Sequence, residues 1–392
     1  MDEFIFIYIC PRQTLLLIII SNTYMSKKLI CLLSAIALTA AISCNQTKEI
    51  GDSLERAEPS AELSAAMDRY YAALDTAQGV TMHSIMVMQH GKVLAERWFN
   101  GWTPDSLHIM YSVSKTFTAT AVGLAIEDGK LALTDKVISF FPDKLPEQVS
   151  DNLAAMTVWD LLTMSCGHDV DHTFDAMRKE GGNALSGANS QNAEFDWVKD
   201  FLAYPVEHKP GTFYCYNSIA TLMLSAIVQK VTGENVFSYL QPRLFEPLHI
   251  SGIHWSETAD GINHGGWGLF LKTEDMAKMG QLFLNNGVWN GKQLIPAGWI
   301  AEASKKQIYS LPAGIREEEL AARNITKANS DLVQGYGYQM WRSRHNGYRA
   351  DGAMGQFILI FPDKDVVIAC TANSRVAQKE LDLIFDNILS VL

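Results

Sequence analysis

The sequence predicts an α+β protein in two lobes: an antiparallel sheet flanked by terminal helices, with a mostly helical lobe inserted. Three observations lead to that expectation. Strand-like apolar segments stand near both ends of the folded part of the chain, "HSIMVMQHGKVLAERWF" early and "GQFILIFP" with "DVVIACTA" late. Between them, apolar residues recur mainly at helical spacing. Each end also carries an amphipathic helix, so strands from both termini share one sheet. A cleft between the lobes is where a site is expected.

The first segment to justify precedes that body. From Met25 the chain reads "MSKKLICLLSAIALTAAISCNQTKEI". Lys27 and Lys28 stand before a charge-free run, the layout of a secretory signal over 25–43. Small residues then lead into Cys44, resembling the lipobox of bacterial lipoproteins, in which that cysteine becomes the lipidated N-terminus. The expectation is an exported protein anchored to a membrane of the cell envelope, facing the periplasm. Residues 1–24 duplicate the hydrophobicity of this signal and fit a translation start assigned too early. Pro11 and Arg12 interrupt their apolar run, which falls short of the ~20 residues a spanning helix needs. The polar stretch through "NQTKEIGDSLERAEPSAE" reads as a tether, 44–61.

The folded body is then 62–392. Leu63, Met67, Tyr70 and Leu74 recur at helical spacing, and two strands turn at His90 and Gly91. The helical insert covers about 116–260. In it, a helix over 112–128 stops at Gly129, "MTVWDLLTM" opens with a near capping box of Thr157 and Asp160, and "SIATLMLSAIVQKVTG" ends at Gly233. "GYGYQMWRS" reads as a strand before the two late ones, and a helix from about Val376 puts Leu381, Ile384, Phe385 and Ile388 on one face.

Composition excludes some functions. The net charge is −11, of which the first 43 residues contribute +1, so the body is acidic without basic clusters and no nucleic-acid partner is expected. Setting aside Cys10, Cys31 and Cys44 leaves Cys166, Cys215 and Cys370, an odd number without zinc spacing. One pair among them is open.

The chemistry starts at "IMYSVSKTFTATAVGLAIEDGKL". Ser112 and Lys115, the single Ser-x-x-Lys match in the chain, share a helix face. A serine hydroxyl needs a neighbouring base, and a partly buried lysine with a lowered pKa serves as one. The helix N-terminus adds N–H groups able to stabilise an oxyanion.

"SVSK", "MTVWDLLTMSCGHD", "KPGTFYCYNSIATLMLSAIVQKVTGE" and "GGWGLFLKTEDMAKMGQLFLNNGVWNGKQLI", in that order, resemble the class C β-lactamase-related serine hydrolases from about Leu63 to Leu392. The resemblance implies a β-lactamase-like fold and an acyl-enzyme on Ser112. Lys115 shares the serine's proton, and Tyr216 acts as base in acylation and as proton donor to the leaving group. No metal or organic cofactor is implied. Ser218 stands where the family's Tyr-x-Asn motif has Asn. Where penicillin-recognising members carry Lys-Thr-Gly, this chain has Ala350, Asp351 and Gly352, so the lysine that would meet a substrate carboxylate is absent. Arg349 is the alternative cation, and Asp351 would repel an anionic substrate. The same alignment pairs the N–H groups of Ser112 and Ala353 as an oxyanion hole, with Gly352 allowing close approach of the substrate.

These departures favour a small neutral or cationic ester or amide as substrate. The alternatives are a D-amino-acid peptidase or β-lactamase and, from another class, a non-catalytic binding lipoprotein of the same fold. "HDVDH", His168 to His172, falls in a loop rather than at helical metal-ligand spacing, so no metal site is assigned. Trp267, Tyr336 and Trp341 line a pocket or fill the core, and "GGWG" at 265–268 is a cleft loop or a plain turn.

Overall fold

Ser60 opens the first helix as its N-cap, accepting a hydrogen bond from the Leu63 N–H. Helix α1 (Ala61–Thr76) buries Leu63, Ala66, Met67 and Tyr70, the stripe its periodicity marks. The computed structural model describes residues 51–181 and 187–392, within a compact body from Asp52 to Leu392. The signal segment and Cys44 lie outside the described residues.

Strands β1 (Met82–Gln89) and β2 (Lys92–Trp98) form a hairpin whose turn holds His90 and Gly91 at positive φ. Short strands β3 (His108–Ile109), β4 (His254–Trp255) and β5 (Leu269–Leu271) make a small sheet, and β6 (Val288–Trp289) pairs with β7 (Lys292–Gln293). Near the C-terminus, β8 (Trp341–Arg342), β9 (Tyr348–Gly352), β10 (Gln356–Phe361) and β11 (Val366–Ala372) join the first hairpin. The result is a six-stranded antiparallel sheet ordered β2-β1-β11-β10-β9-β8. The expected strand over "GYGYQMWRS" shrinks to Trp341 and Arg342, because Gln339 turns the chain at φ +57°.

The main helices after α1 are α2 (Ser114–Glu127), α3 (Val158–Leu162), α4 (Trp197–Ala203), α5 (Ser218–Thr232), α6 (Thr273–Leu284) and α7 (Ala377–Asn387). Ile85, Val87, Phe357, Leu359, Ile368 and Cys370 pack on α1 and α7 from one face of the sheet. Alternate residues on the other face, Ile358 and Val367 among them, pack on α6. A sheet covered on both faces explains why "FILIF" and "VVIACTA" are apolar without alternation. The fold is thus α+β, with terminal helices on an antiparallel sheet, as the sequence leads one to expect.

The segment expected as tether is bound in part. Leu54 is buried, and the backbone of Glu55 and Ala57 pairs with Val93 along the outer side of β2. Arg56 bridges Glu96 at 3.0 Å and Glu274 at 2.9 Å. The physical reason is the open edge of β2, whose unpaired N–H and C=O groups accept a passing chain.

Thr157 and Asp160 form the capping box in full, and Gly233 ends α5 in the left-handed region. The helix expected over 112–128 begins as a tight 3-10 turn, Tyr111–Val113, and becomes α2 at Ser114. Most of α2 is buried, which is why it shows no apolar stripe. Among the described residues Cys166, Cys215 and Cys370 are all free.

Candidate active site

Ser112 sits in the 3-10 turn ahead of α2, after Tyr111 at φ +43°. That strained residue tips the serine out of the helix while leaving Lys115 one turn on. The Lys115 side chain is buried, with Nζ 2.9 Å from Ser112 Oγ, 2.9 Å from Ser218 Oγ and 2.7 Å from the Gly266 carbonyl oxygen. Among the described residues no carboxylate pairs with it. Burial lowers its pKa to about 7, opposed by the fields of Asp171 and Asp351.

Three partners surround one amine, which when neutral has two N–H groups and one lone pair to share among them. Gly266 O only accepts, so it takes one N–H, and the Ser218 and Ser112 hydroxyls face the second N–H and the lone pair. In the arrangement in which Ser218 accepts, the lone pair is left for the Ser112 hydroxyl. Ser218, which stands where the family's motif has Asn, is thus a hydrogen-bond partner of the lysine. Its backbone N–H donates to Thr173 Oγ1, and Asn217 beside it caps α5 and donates to His168 Nδ1 at 2.9 Å.

The Tyr216 side chain stands beside Ser112, and the Lys115 amine lies 5.0 Å from its ring centroid. Desolvation raises the Tyr216 pKa, the neighbouring Ser112 side chain lowering it in part, so the phenol keeps its proton at neutral pH. Trp341 stacks on the ring at 5.5 Å and Tyr336 meets it edge-on at 6.1 Å. Tyr336 and Trp341 thus belong to a buried aromatic cluster that seats Tyr216. Trp267 is buried too, stacked on His264. "GGWG" is the loop that delivers the Gly266 carbonyl to Lys115, packed so closely that a Cβ at Gly266 would lie 2.7 Å from the Ser218 carbonyl oxygen.

Strand β9 lies against the nucleophile turn. A Cβ on Gly352 would stand 2.3 Å from the Met110 carbonyl oxygen, so this glycine admits the turn rather than the substrate. Ala353 follows at once and is exposed. Arg349 and Asp351 share a strand face, and here two expectations change. Arg349 is fully buried, its Nε 2.9 Å from Asp351 Oδ2 and its Nη1 on the carbonyls of Arg342 and Asp331. It faces inward and cannot meet a substrate carboxylate. Asp351 is compensated by it and is no free negative charge, although burial still raises its pKa. Alternation along a strand puts residues 349 and 351 together, but which face is inside was not readable.

His168 is buried, with its pKa pushed down to about 4 by desolvation and by His172 nearby. Among the described residues no three His, Cys, Asp or Glu side chains gather as a metal-ligand set.

Comparison with known proteins bears on the family and the fold. The Beta-lactamase family model matches residues 67–392. A 6-aminohexanoate-dimer hydrolase from Paenarthrobacter ureafaciens is 25% identical over 320 residues, covering 80% of this chain and 78% of that protein. Among solved structures, EstCE1, a hydrolase with promiscuous acyltransferase activity, superposes with a TM-score of 0.66 at 14% identity, covering 83% of this chain and 98% of that one. The octameric penicillin-binding protein homologue from Pyrococcus abyssi does so with 0.60 at 19%, over 83% and 77%. Its sequence match and its fold together make this chain a member of the beta-lactamase family, related to serine hydrolases.

Proposed function

We propose that the protein is a serine hydrolase that forms an acyl-enzyme on Ser112 and cleaves small, uncharged or cationic esters or amides at the cell envelope. One observation supports this most directly: a buried lysine whose pKa falls to about 7 and whose amine lies 2.9 Å from the serine hydroxyl. Neutral Lys115 takes the Ser112 proton as Oγ bonds to the substrate carbonyl carbon. The resulting oxyanion is met by the N–H groups of Ser112 and Ala353. As the carbon–leaving group bond breaks, the Tyr216 hydroxyl gives the leaving group its proton, and the Lys115 ammonium replaces it. Water then attacks the acyl-enzyme, losing its proton to Lys115; the acid leaves and Ser112 regains its proton.

The substrate class follows from what surrounds the serine. Arg349 is held inward by Asp351, so the strand offers no free cation to a carboxylate, which disfavours β-lactams and D-amino-acid peptides. The likeness to a protein named 6-aminohexanoate-dimer hydrolase supports hydrolysis of a small compound. Envelope location rests on the signal-like 25–43 and on Cys44 as a lipidated residue.

The test is parallel hydrolysis of a short-chain nitrophenyl ester, a D-alanyl amide and a chromogenic cephalosporin by the soluble body and its Ser112→Ala variant. Ester turnover lost in the variant is expected; dominant cephalosporin or D-alanyl turnover overturns the substrate class. Cys44→Ala, made from the Met25 start, is expected to release the protein from membranes.

A further inference from the structure

The β9–β10 hairpin reverses through Ala353, Met354 and Gly355, with Gly352 opposite Gln356. Met354 and Gly355 are both left-handed, at φ +63° and +85°, and Ala353 and Met354 are exposed. An exposed tip with a methionine in that region does not hold its shape by backbone preference alone. Something must fix it if Ala353 is to aim an N–H.

We infer that Gln356 is the positioning residue that aims the Ala353 N–H at the oxyanion, an inference that rests on the oxyanion hole proposed above. Gln356 is buried, and its Nε2 lies 2.7 Å from the Ala372 carbonyl oxygen, 3.1 Å from that of Met354 and 3.2 Å from that of Ala353. An amide nitrogen has two N–H groups. One is anchored on Ala372, and the second is shared between the two carbonyls of the tip. The Ala372 N–H returns a hydrogen bond to Gln356 Oε1 at 3.4 Å. Ala372 ends β11, an inner strand of the sheet, and is paired with Met82 of β1, so the tip is tied to the body of the sheet.

Ala353 is thereby held on both sides. Before it, Gly352 rests on the Met110 carbonyl; after it, Gln356 holds the Ala353 carbonyl, and the Ser374 N–H holds that of Met354 at 2.9 Å. Beneath the tip, Gly355 lies against the buried Glu380 carboxyl, which keeps the hairpin from sinking. An oxyanion donor acts only where it is aimed before the charge develops. Gln356 touches neither substrate nor Ser112 and acts through Ala353.

The experiment labels Ser112 with a pair of probes: an alkyl fluorophosphonate, whose P=O oxygen seats in the oxyanion hole, and its P=S counterpart, a poorer acceptor. Gln356→Met removes the donor at similar length, and Gln356→Glu keeps the size if the methionine variant fails to fold. Both are expected to react with the P=O probe about 10- to 100-fold more slowly than the parent, part of the loss seen when an oxyanion donor is deleted. The P=S probe should slow far less, so that the P=O preference collapses. Equal slowing of both probes, or no slowing, overturns the inference while leaving Ser112 as nucleophile. A parent protein that neither probe labels at Ser112 overturns the proposed function, and this inference with it.

Discussion

Gly352 and the Met110 carbonyl share a space that admits no side chain: a Cβ at 352 would lie 2.3 Å from that oxygen and 3.3 Å from Val113 Cγ2. The contact sets how closely β9 approaches the turn bearing Ser112. Gly352→Ala is therefore expected to push the two apart, costing about 1–3 kcal/mol of stability by overpacking. Ester kcat should fall at least about tenfold, since oxyanion donors tolerate little displacement. Thermal melts and steady-state kinetics on one preparation check both.

The buried lysine predicts two pH effects. Activity requires neutral Lys115, so kcat/KM should rise with pH through about 7. Stability follows the same group. The unfolded lysine holds its proton up to its ordinary 10.5 and the folded one only to about 7, so unfolding takes up a proton between these values. Lys115 thus lowers stability fully below pH 7, and its contribution improves as pH rises from 7 to 10.5. Lys115→Met should abolish turnover, raise the melting temperature at pH 6, and flatten this part of the stability profile. Urea titrations at pH 6 and pH 9 would detect it.

Ser218 gives a finer test of the same base. Its hydroxyl accepts from Lys115 and so stabilises the ammonium form. In Ser218→Ala the acid limb of the pH–rate profile should move to lower pH, with kcat reduced about tenfold or more, the scale of a hydrogen bond to a charged group. Ser218→Thr should keep both near the parent values. A limb that stays in place in the alanine variant would assign Ser218 to substrate after all.

The Arg349–Asp351 pair predicts a stability cycle. Arg349→Met strands a half-buried carboxylate beside the site and should cost about 3–5 kcal/mol. Arg349→Met with Asp351→Leu removes both charges and should recover much of that loss. Denaturant midpoints of the single and double variants measure the coupling.

The parts of this fold visible in sequence are those whose signal is local. The Thr157–Asp160 capping box, the glycine ending α5 and the β1–β2 turn each depend on a few neighbouring residues. The Ser112–Lys115 spacing was equally legible, because a helix turn sets it. What escaped depends on distant segments meeting. The Gly266 carbonyl on Lys115 has no side chain to read, and the use of Ser218 depends on α5 ending against α2. The inward turn of Arg349 depends on which face of β9 meets the aromatic cluster around Trp341. The segment at 54–57 looked like solvent-loving chain because its polar residues find partners only on β2 and α6.

The pairing of β1 with β11, Met82 opposite Ala372, has a consequence for biosynthesis. The sheet's central strands come from opposite ends of the body, and α1 finds its partner helix only in the last residues of the chain. Loop closure over such a separation is slow, and of the elements that cover the apolar faces of β1 only α1 precedes it in synthesis. The N-terminal strands therefore stay uncommitted until the C-terminus is released. That delay exposes any prematurely terminated product to aggregation and proteolysis.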